Sequence, residues 1–440
     1  MRSFFRTAAL LAIFCAAARA DLDSYIAAKD ASYKWSRIAG RDDGPMPYAE
    51  LRLVSQTWRQ IAWKHRLMIL RPPNTRKATQ ALLLISGGSW RDGMETRPLS
   101  PTSGTLRTAM AAATAVQMPV AVLEQVPFQP LYDGLTEDRL IAHTFDQYLN
   151  GGEDDWPLLL PMTKAAVRAM DAVQEFAAKE WQLEIQKFVV TGASKRGWTT
   201  WLAGAADNRV VAIAPMVIDV LNMSAQMKHQ LATYGAYSEQ IADYTRLKIQ
   251  DRMDTEAGRR LLSIVDPWSY RQRLKMPKLI LLGTNDPYWT LDSLNLYYDS
   301  LVGEKYILYI PNAGHGLGDM QRILSDIAAL SASAAGKLRL PKFTWEMQQR
   351  PGAAQLAAKS DLKPAGVVVW LADSPTKDFR KARWRCEPLE AIDGRYVREL
   401  KAPQRGRSAM FAEATYDIDG RRLYLCTQVH IVAAPAQPPP

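Results

Sequence analysis

The chain has 440 residues, a mass of 49.3 kDa and a formal net charge of +10, with 48% hydrophobic and 23% charged residues. This composition is ordinary for a folded protein long enough for two or three domains, so it excludes a disordered, collagen-like or coiled-coil chain. Three cysteines without a C-x-x-C pair exclude a disulfide scaffold and offer no basis for a zinc site. The positive charge bears on solubility, and no nucleic-acid-binding module is recognisable.

The N-terminus has the features of a secretory signal peptide. Two arginines precede an apolar stretch from residue 8 to residue 18, and Ala18-Arg19-Ala20 is a small-x-small cleavage pattern. The apolar stretch is well short of the roughly 20 residues that span a bilayer. We therefore expect a signal peptide over residues 1–20, cleavage near Ala20, export to the periplasm or out of the cell, and no membrane span.

The mature chain would carry two cysteines, Cys386 and Cys426, both close to its C-terminus. In an oxidising compartment their pairing would close a loop of about 40 residues, worth roughly 4 kcal/mol in the chain-entropy model. Two unrelated buried thiols fit the sequence equally well. The sequence therefore leaves this disulfide open.

Between residues 80 and 320 a short apolar run, a glycine-containing turn and a helix-like segment repeat. Runs that are apolar on both faces are typical of parallel strands covered by helices on each side. With antiparallel starting strands in residues 57–70, the pattern predicts a doubly wound, mostly parallel α/β sheet of about eight strands. The six apolar runs are 81–86, 119–123, 187–191, 210–215, 277–283 and 305–311.

Two regions depart from this repeat. Residues 220–276 have the pattern of a helical insertion, which is either a lid over the sheet edge or a stabilising helical hairpin. Further on, short alternating stretches separated by turns predict a small β-sandwich over 336–433, and the proline-rich end 434–440 predicts a disordered tail. The α/β domain would therefore occupy 21–335.

The clearest catalytic signal is the segment KFVVTGASKRGW at 187–198. Ser194 would lie on a sharp turn between a strand and a helix, where Gly192 relieves crowding and the hydroxyl is exposed at the sheet edge. This arrangement is a nucleophile elbow. The pattern is G-x-S-x-x-G instead of G-x-S-x-G, with Arg196 at the second glycine position and Gly197 after it, so the next helix must accommodate a bulky side chain.

A nucleophilic serine needs a general base, and the base needs an orienting acid. Of the five histidines, His315 directly follows the last apolar run of the sheet. Asp286 follows the preceding run, and the chain order Ser194, Asp286, His315 is that of an α/β-hydrolase. Asp219, at the end of the strand after the nucleophile, is the reserve acid. The predicted fold class is therefore the α/β-hydrolase type.

Acyl transfer also needs hydrogen-bond donors for the oxyanion that forms on the substrate. The sequence SGGSW at 86–90 follows the first buried apolar run, so the backbone N–H groups of Ser89 and Trp90 are candidates. The N–H of Lys195, directly after the nucleophile, is the second candidate donor. A plain tight turn is the alternative interpretation of the two glycines.

Five motifs spread along the chain are long and specific: QVPFQPL at 125–131, DWPLLLPMTK at 155–164, GASKRGWTTW at 192–201, AIAPMVIDVLNM at 212–223 and DFR at 378–380. They resemble the PhoPQ-activated pathogenicity-related proteins over most of the mature chain. The resemblance implies an exported α/β-hydrolase-like domain with a β-rich C-terminal domain, linked in bacteria to virulence regulation. The family name implies no substrate. A few residues of the elbow are also similar to glucuronoyl esterases.

The sequence thus predicts an exported serine hydrolase that cleaves an ester or an amide of a small molecule with Ser194, His315 and Asp286, without a metal or an organic cofactor. One alternative is a non-catalytic binding protein on the same fold, which a covered site would favour. The other is a peptidase for short peptides, which an acid placed to grip the peptide amino terminus would favour. The candidates for that acid are Glu124, Glu137, Asp154 and Asp155.

Overall fold

The computed structural model describes residues 21–100 and 102–435. The predicted signal peptide and residues 436–440 of the predicted tail lie outside this part of the chain. The strands of the described residues are β1 Lys34–Arg41, β2 Tyr48–Trp58, β3 Ile61–Leu70, β4 Gln80–Ile85, β5 Val120–Leu123, β6 Lys187–Ala193, β7 Val210–Met216, β8 Lys278–Gly283, β9 Lys305–Ile310, β10 Phe343–Arg350, β11 Ala353–Ser360, β12 Gly366–Ser374, β13 Arg385–Pro388, β14 Ala391–Ile392, β15 Arg395–Lys401, β16 Arg407–Ile418, β17 Arg421–Cys426 and β18 His430–Ala433.

The α-helices of the same residues are α1 Leu22–Ala27, α2 Gly104–Val116, α3 Glu137–Leu149, α4 Leu159–Trp181, α5 Lys195–Ala206, α6 Met223–Tyr234, α7 Ala242–Thr245, α8 Glu256–Val265 and α9 Met320–Ala334. Short 3-10 helices occupy Asp92–Met94, Glu239–Ile241, Gln250–Arg252, Pro267–Tyr270, Ser293–Leu296 and Tyr298–Ser300. The predicted helical insertion between β7 and β8 is thus present as α6, α7, α8 and three of these turns.

The first nine strands form one mixed sheet in the order β1-β2-β3-β5-β4-β6-β7-β8-β9. The strands β1, β2 and β3 pair antiparallel, β3 pairs antiparallel with β5, and the later pairings are parallel. Each of the six apolar runs is a strand of this sheet. The prediction of a doubly wound, mostly parallel sheet of the α/β-hydrolase type is confirmed, with nine strands instead of about eight.

Both faces of this sheet are covered by helices. In β4, Ala81, Leu83 and Ile85 point into one hydrophobic cluster, which also contains residues of α1, α4 and α5. Leu82 points into the opposite cluster, which contains residues of α2 and α9. Because successive side chains of a strand alternate between the two faces, a strand covered on both sides must be apolar throughout.

The C-terminal region consists of two antiparallel sheets, in the orders β10-β11-β15-β14 and β13-β12-β16-β17, with β18 also paired with β16. Leu356 of the first sheet and Val369 and Met410 of the second lie in one hydrophobic cluster. The predicted β-rich C-terminal region is therefore confirmed. It packs against the large sheet through α9 and β9, which contact β17.

The two cysteines of this region are free, with Cys386 exposed on β13 and Cys426 buried on β17. The strands β12 and β16 lie between them in the sheet. At roughly 4.8 Å per strand this places them about 14 Å apart, twice the reach of a disulfide. The pairing that the sequence left open is not formed. Burial raises the pKa of the Cys426 thiol well above its usual value.

Two asparagines fasten the C-terminal region to the loops that follow β8 and β9. Asn285 donates from Nδ2 to three backbone carbonyls, the shortest contact being 2.7 Å to Ala382. Asn312 donates to the Trp384 carbonyl at 3.0 Å and accepts from the Trp384 N–H at 2.7 Å. The C-terminal region therefore supports the two loops that carry the predicted catalytic acid and base.

We predict that Asn312→Ala lowers the free energy of unfolding by about 2 kcal/mol, because two partly buried backbone groups of Trp384 lose their partner. Asn74→Ala is the matched control. Asn74 has a φ of 63°, close to the 60° of Asn312, and its side chain bonds to none of the described residues. Urea denaturation of both variants measures the difference. Equal losses in the two variants would contradict the anchoring role of Asn312.

Candidate active site

Ser194 lies at the turn between β6 and α5, with φ 58° and ψ −127°. A non-glycine residue adopts a positive φ only where its surroundings require it. The Ser194 N–H donates to the carbonyl of Met216 on β7 at 2.9 Å. A Cβ at Gly192 would approach the Arg196 carbonyl oxygen to 2.8 Å, and one at Gly197 would approach the Met216 oxygen to 2.9 Å. Both glycines therefore allow the close packing that holds the turn.

Arg196 stands at the position usually taken by a second glycine and binds Glu137 and the Val126 carbonyl. Its Nη1 and Nη2 atoms each donate to a carboxylate oxygen of Glu137 at 2.7 Å, and Nε donates to the Val126 carbonyl at 2.5 Å. A Cβ at Gly87 would collide with this guanidinium group. The first glycine of the SGGSW segment is thus required by the arginine of the elbow.

Glu137 is the acidic partner of two cations at the start of α5. The Lys195 Nζ lies 2.9 Å from Glu137 and 3.2 Å from Asp138. Burial would raise the pKa of Glu137, but the hydrogen bonds and charge of Arg196 and the charge of Lys195 outweigh it and hold this pKa at about 2. Glu137 is therefore ionised throughout the physiological range. Asp138 also accepts a hydrogen bond from the Tyr244 hydroxyl of the insertion at 3.0 Å.

The imidazole of His315 is fixed on one side by an acid. Its Nδ1 lies 2.8 Å from Oδ2 of the buried Asp286, whose Oδ1 accepts from the Tyr288 N–H at 2.9 Å. The Tyr288 ring stacks on the imidazole, with 4.1 Å between ring centres and 29° between the planes. The buried Nε2 makes no hydrogen bond to Ser194 or to any other described residue. It is available to receive a proton.

Asp219, the reserve acid, does not reach the histidine. Its buried carboxylate accepts a hydrogen bond from the Tyr297 hydroxyl at 2.6 Å. Burial raises the pKa of Asp219 to about 7. The structure therefore pairs His315 with Asp286 and leaves Asp219 bonded to Tyr297 in the core.

The structure corrects one of the candidate oxyanion donors. The Trp90 N–H already donates to the Gln129 carbonyl at 2.7 Å, so it is not free to bind an oxyanion. The Ser89 N–H has no partner among the described residues. The Lys195 N–H is the first of α5, where N–H groups have no partner inside the helix. Ser89 and Lys195 remain as candidates.

Ser194 and His315 open onto the same pocket, which has about 670 Å³ of free space, counting the part open to solvent. The polar side chains in its lining include Asp138, Lys195 and Gln250. Much of the remaining lining comes from the insertion. The site is therefore bounded by the insertion on one side without being filled by it.

The insertion is tied to the α/β domain on two sides. Arg252 pairs with Asp146 of α3 at 2.5 Å, and Arg260 pairs with Asp154 at 2.7 Å. On the other side, the Tyr234 hydroxyl donates to the Trp289 carbonyl at 2.8 Å, and His229 lies 2.7 Å from Asp292. These contacts fix the helices in place over the sheet edge.

Sequence reasoning missed the role of Glu137 and the stacking of Tyr288 on the histidine. The signal for Glu137 was present, because a cation at a position that usually requires glycine has to be buried and therefore needs an acid. Tyr288 comes directly after Asp286 and Pro287 in the chain, but the spacing of the aromatic residues did not distinguish it from a tyrosine of the core.

Residues 21–100 and 102–435 contain no group of three or more histidine, cysteine or carboxylate side chains arranged to hold a metal ion. Their helices include none that is long and apolar enough to cross a membrane.

The sheet order and the strand-to-helix elbow define an α/β-hydrolase fold. The chain belongs to the PhoPQ-activated pathogenicity-related protein family, whose model matches residues 22–380. The family expected from the motifs is thereby confirmed. Autocrine proliferation repressor protein A of Dictyostelium discoideum is 33% identical over an alignment of 446 residues including gaps, which covers 92% of this chain and 88% of that protein.

Two solved structures are similar to this chain over 70% and 69% of its length. Acetyl xylan esterase 1 from Thermoanaerobacterium sp. JW/SL YS485 has a TM-score of 0.46 and 16% identity, covering 70% of this chain and 93% of that one. Glucuronoyl esterase from Solibacter usitatus has a TM-score of 0.39 and 13% identity, covering 69% of this chain and 87% of that one.

Asp219 makes the stability of the protein depend on pH. Because its pKa is raised from 3.8 to about 7 in the folded state, the folded state binds more protons than the unfolded state between these values. The contribution of Asp219 to the free energy of unfolding is therefore present below about pH 4 and is lost as the pH rises to about 7.

We predict that Asp219→Asn, which keeps an acceptor for Tyr297, removes this part of the pH dependence. The free energy of unfolding of the wild type should fall more steeply than that of the variant from about pH 4 to about pH 7. Urea denaturation of both proteins across this range measures the two slopes. Parallel profiles would show that Asp219 is ionised in the folded protein.

Proposed function

We propose that the protein is an exported serine hydrolase that cleaves an ester or an amide through Ser194, His315 and Asp286. The observation that carries the proposal is the geometry of His315. Its Nδ1 is held by Asp286 at 2.8 Å, its Nε2 has no hydrogen-bond partner among the described residues, and His315 and Ser194 line the same pocket. The proposal of export rests on the signal-peptide pattern of the N-terminus.

The reaction would proceed in two half-reactions. Ser194 Oγ attacks the carbonyl carbon of the substrate while His315 Nε2 takes the hydroxyl proton, and His315 then gives that proton to the leaving oxygen or nitrogen. Asp286 holds the ring with Nδ1 protonated and stabilises the imidazolium that forms. A water molecule then attacks the acyl-enzyme with the same help, which releases the acid and restores Ser194.

The backbone N–H groups of Ser89 and Lys195 would bind the oxyanion of each tetrahedral intermediate. Removing one such donor typically costs about 3 to 4 kcal/mol of transition-state stabilisation. The loop with Ser89 and the helix start with Lys195 are held together by Arg196, which lies against Gly87. Arg196 is therefore a positioning residue in this mechanism.

The four candidate acids of the peptidase alternative are already bound to other side chains. Each of the four carboxylates considered for gripping a peptide amino terminus already has a side-chain partner. Glu124 pairs with Thr105 at 2.7 Å, Glu137 with Arg196 at 2.7 Å, Asp154 with Arg260 at 2.7 Å and Asp155 with Arg59 at 2.8 Å. An ester or a small amide is therefore favoured over a peptide held by its amino terminus.

The binding-protein alternative is supported by the name of the Dictyostelium relative, which describes repression of proliferation. A folded wild-type protein whose serine never reacts would favour it. The open pocket beside Ser194 argues for the hydrolase instead.

We predict that a fluorophosphonate probe labels the purified mature protein at Ser194. Ser194→Ala should abolish labelling, and His315→Ala should slow it by at least about 100-fold, because general-base help is worth roughly that much or more. Asp286→Asn should slow it as well, because the amide favours the wrong histidine tautomer. In-gel fluorescence over time measures each rate.

Asp292→Asn is the matched control for Asp286→Asn. Asp292 also pairs with a histidine, His229, at 2.7 Å, but this second pair joins the insertion to the loop after β8 and does not involve His315. Its labelling rate should equal that of the wild type. An unlabelled but folded wild-type protein would overturn the proposed function, and equal slowing in both asparagine variants would overturn the role of Asp286.

A further inference from the structure

The pocket beside Ser194 is mainly apolar. Six of the side chains that line it are Phe145, Trp198, Ile218, Met223, Met227 and Met253. Of its polar side chains, Asp138 and Lys195 are paired with each other at 3.2 Å, whereas Gln250 Oε1 and Trp289 Nε1 have no partner among the described residues. The polar groups of a substrate would therefore find these two atoms beside an otherwise apolar wall.

The methionines of the apolar wall come from the insertion. Met223 and Met227 come from α6, and Met253 comes from the following part of the insertion. The Tyr244 hydroxyl binds Asp138 at 3.0 Å, and the neighbouring Arg252 pairs with α3. Because these contacts fasten the insertion, the pocket keeps its shape without a substrate to organise it.

The chemistry of the wall selects among acyl groups. The transfer of methylene groups from water to such a surface is favourable, whereas sugar hydroxyls or charged groups would lose more hydration than the few free polar atoms of the pocket replace. Methionine side chains are unbranched and flexible, so they adapt to a linear chain in more than one conformation. A linear aliphatic chain fits both properties.

We propose that the pocket holds the acyl group of the substrate, so that the enzyme hydrolyses esters or amides of linear aliphatic carboxylic acids longer than acetate. This inference rests on the proposed function. The acyl group stays bonded to Ser194 Oγ when the bond from the carbonyl carbon to the leaving atom breaks and that atom departs with the proton from His315, and water then cleaves the acyl–Ser194 bond. A preformed pocket beside Ser194 therefore suits the part of the substrate that stays.

The test measures kcat/KM for p-nitrophenyl esters from acetate to decanoate. We expect about a fourfold rise for each added methylene until the pocket is full. A second series, acetate esters of alcohols of increasing length, should show no such rise. A flat acyl series overturns the inference, and a rise in the alcohol series alone overturns the assignment of the pocket to the acyl group.

Two substitutions at Met227 test the wall in opposite directions. Met227→Trp should shift the preferred acyl chain to shorter lengths, and Met227→Ala should shift it to longer ones. Leu231→Trp is the matched control, because Leu231 is on the same helix with its side chain 41% exposed. It should keep the wild-type preference. An unchanged preference in both folded Met227 variants overturns the inference.

Fluorophosphonate labelling separates the failure of this inference from the failure of the proposed function. A labelled Ser194 with a flat acyl series overturns the acyl pocket alone. If the wild type stays unlabelled, calorimetric titration of Ser194→Ala with butanoate and decanoate still tests the pocket. Tighter binding of decanoate supports it, and equal or absent binding overturns it.

Discussion

The bidentate ion pair between the buried Arg196 and the partly exposed Glu137 is the interaction on which the geometry of the site rests. Burying the guanidinium group is costly, and bidentate pairing offsets that cost only while the carboxylate is present. Glu137 also pairs with Lys195, and the adjacent Asp138 binds the Tyr244 hydroxyl. Glu137 and Asp138 thus connect the turn at Ser194, the loop that follows β5 and the wall of the pocket.

Much of the fold could be predicted because strands covered by helices on both faces must be apolar throughout. That rule identified β4 to β9. It could not identify β1, which is largely exposed and carries a polar pattern, or β15, in which four of the seven residues are charged. The alanine-rich β11 was missed because alanine has little preference for strands. These strands are defined by their pairing partners, which a single sequence does not reveal.

The residues of the site were predictable as far as chain order and strand ends identify them. Ser194, Asp286 and His315 follow three strands of one sheet, so their order alone placed them at one edge. The sequence favoured Asp286 over Asp219 because Asp286 follows the strand before His315, and in the structure His315 Nδ1 lies 2.8 Å from Asp286 Oδ2. The hydrogen bond from the Trp90 N–H to the Gln129 carbonyl joins two loops that are distant in the sequence, and no local pattern encodes it.

The separation of Cys386 and Cys426 has a consequence for the route of the chain through the cell. The C-terminal sheets are held by strand pairing and apolar contacts, with no covalent bond between the two thiols. Folding to this structure therefore requires no disulfide bond between Cys386 and Cys426, and a reducing cytoplasm does not prevent it. If the protein is exported as proposed, a pathway that threads an unfolded chain would have to engage it before it folds, by chaperone binding or by coupling to synthesis.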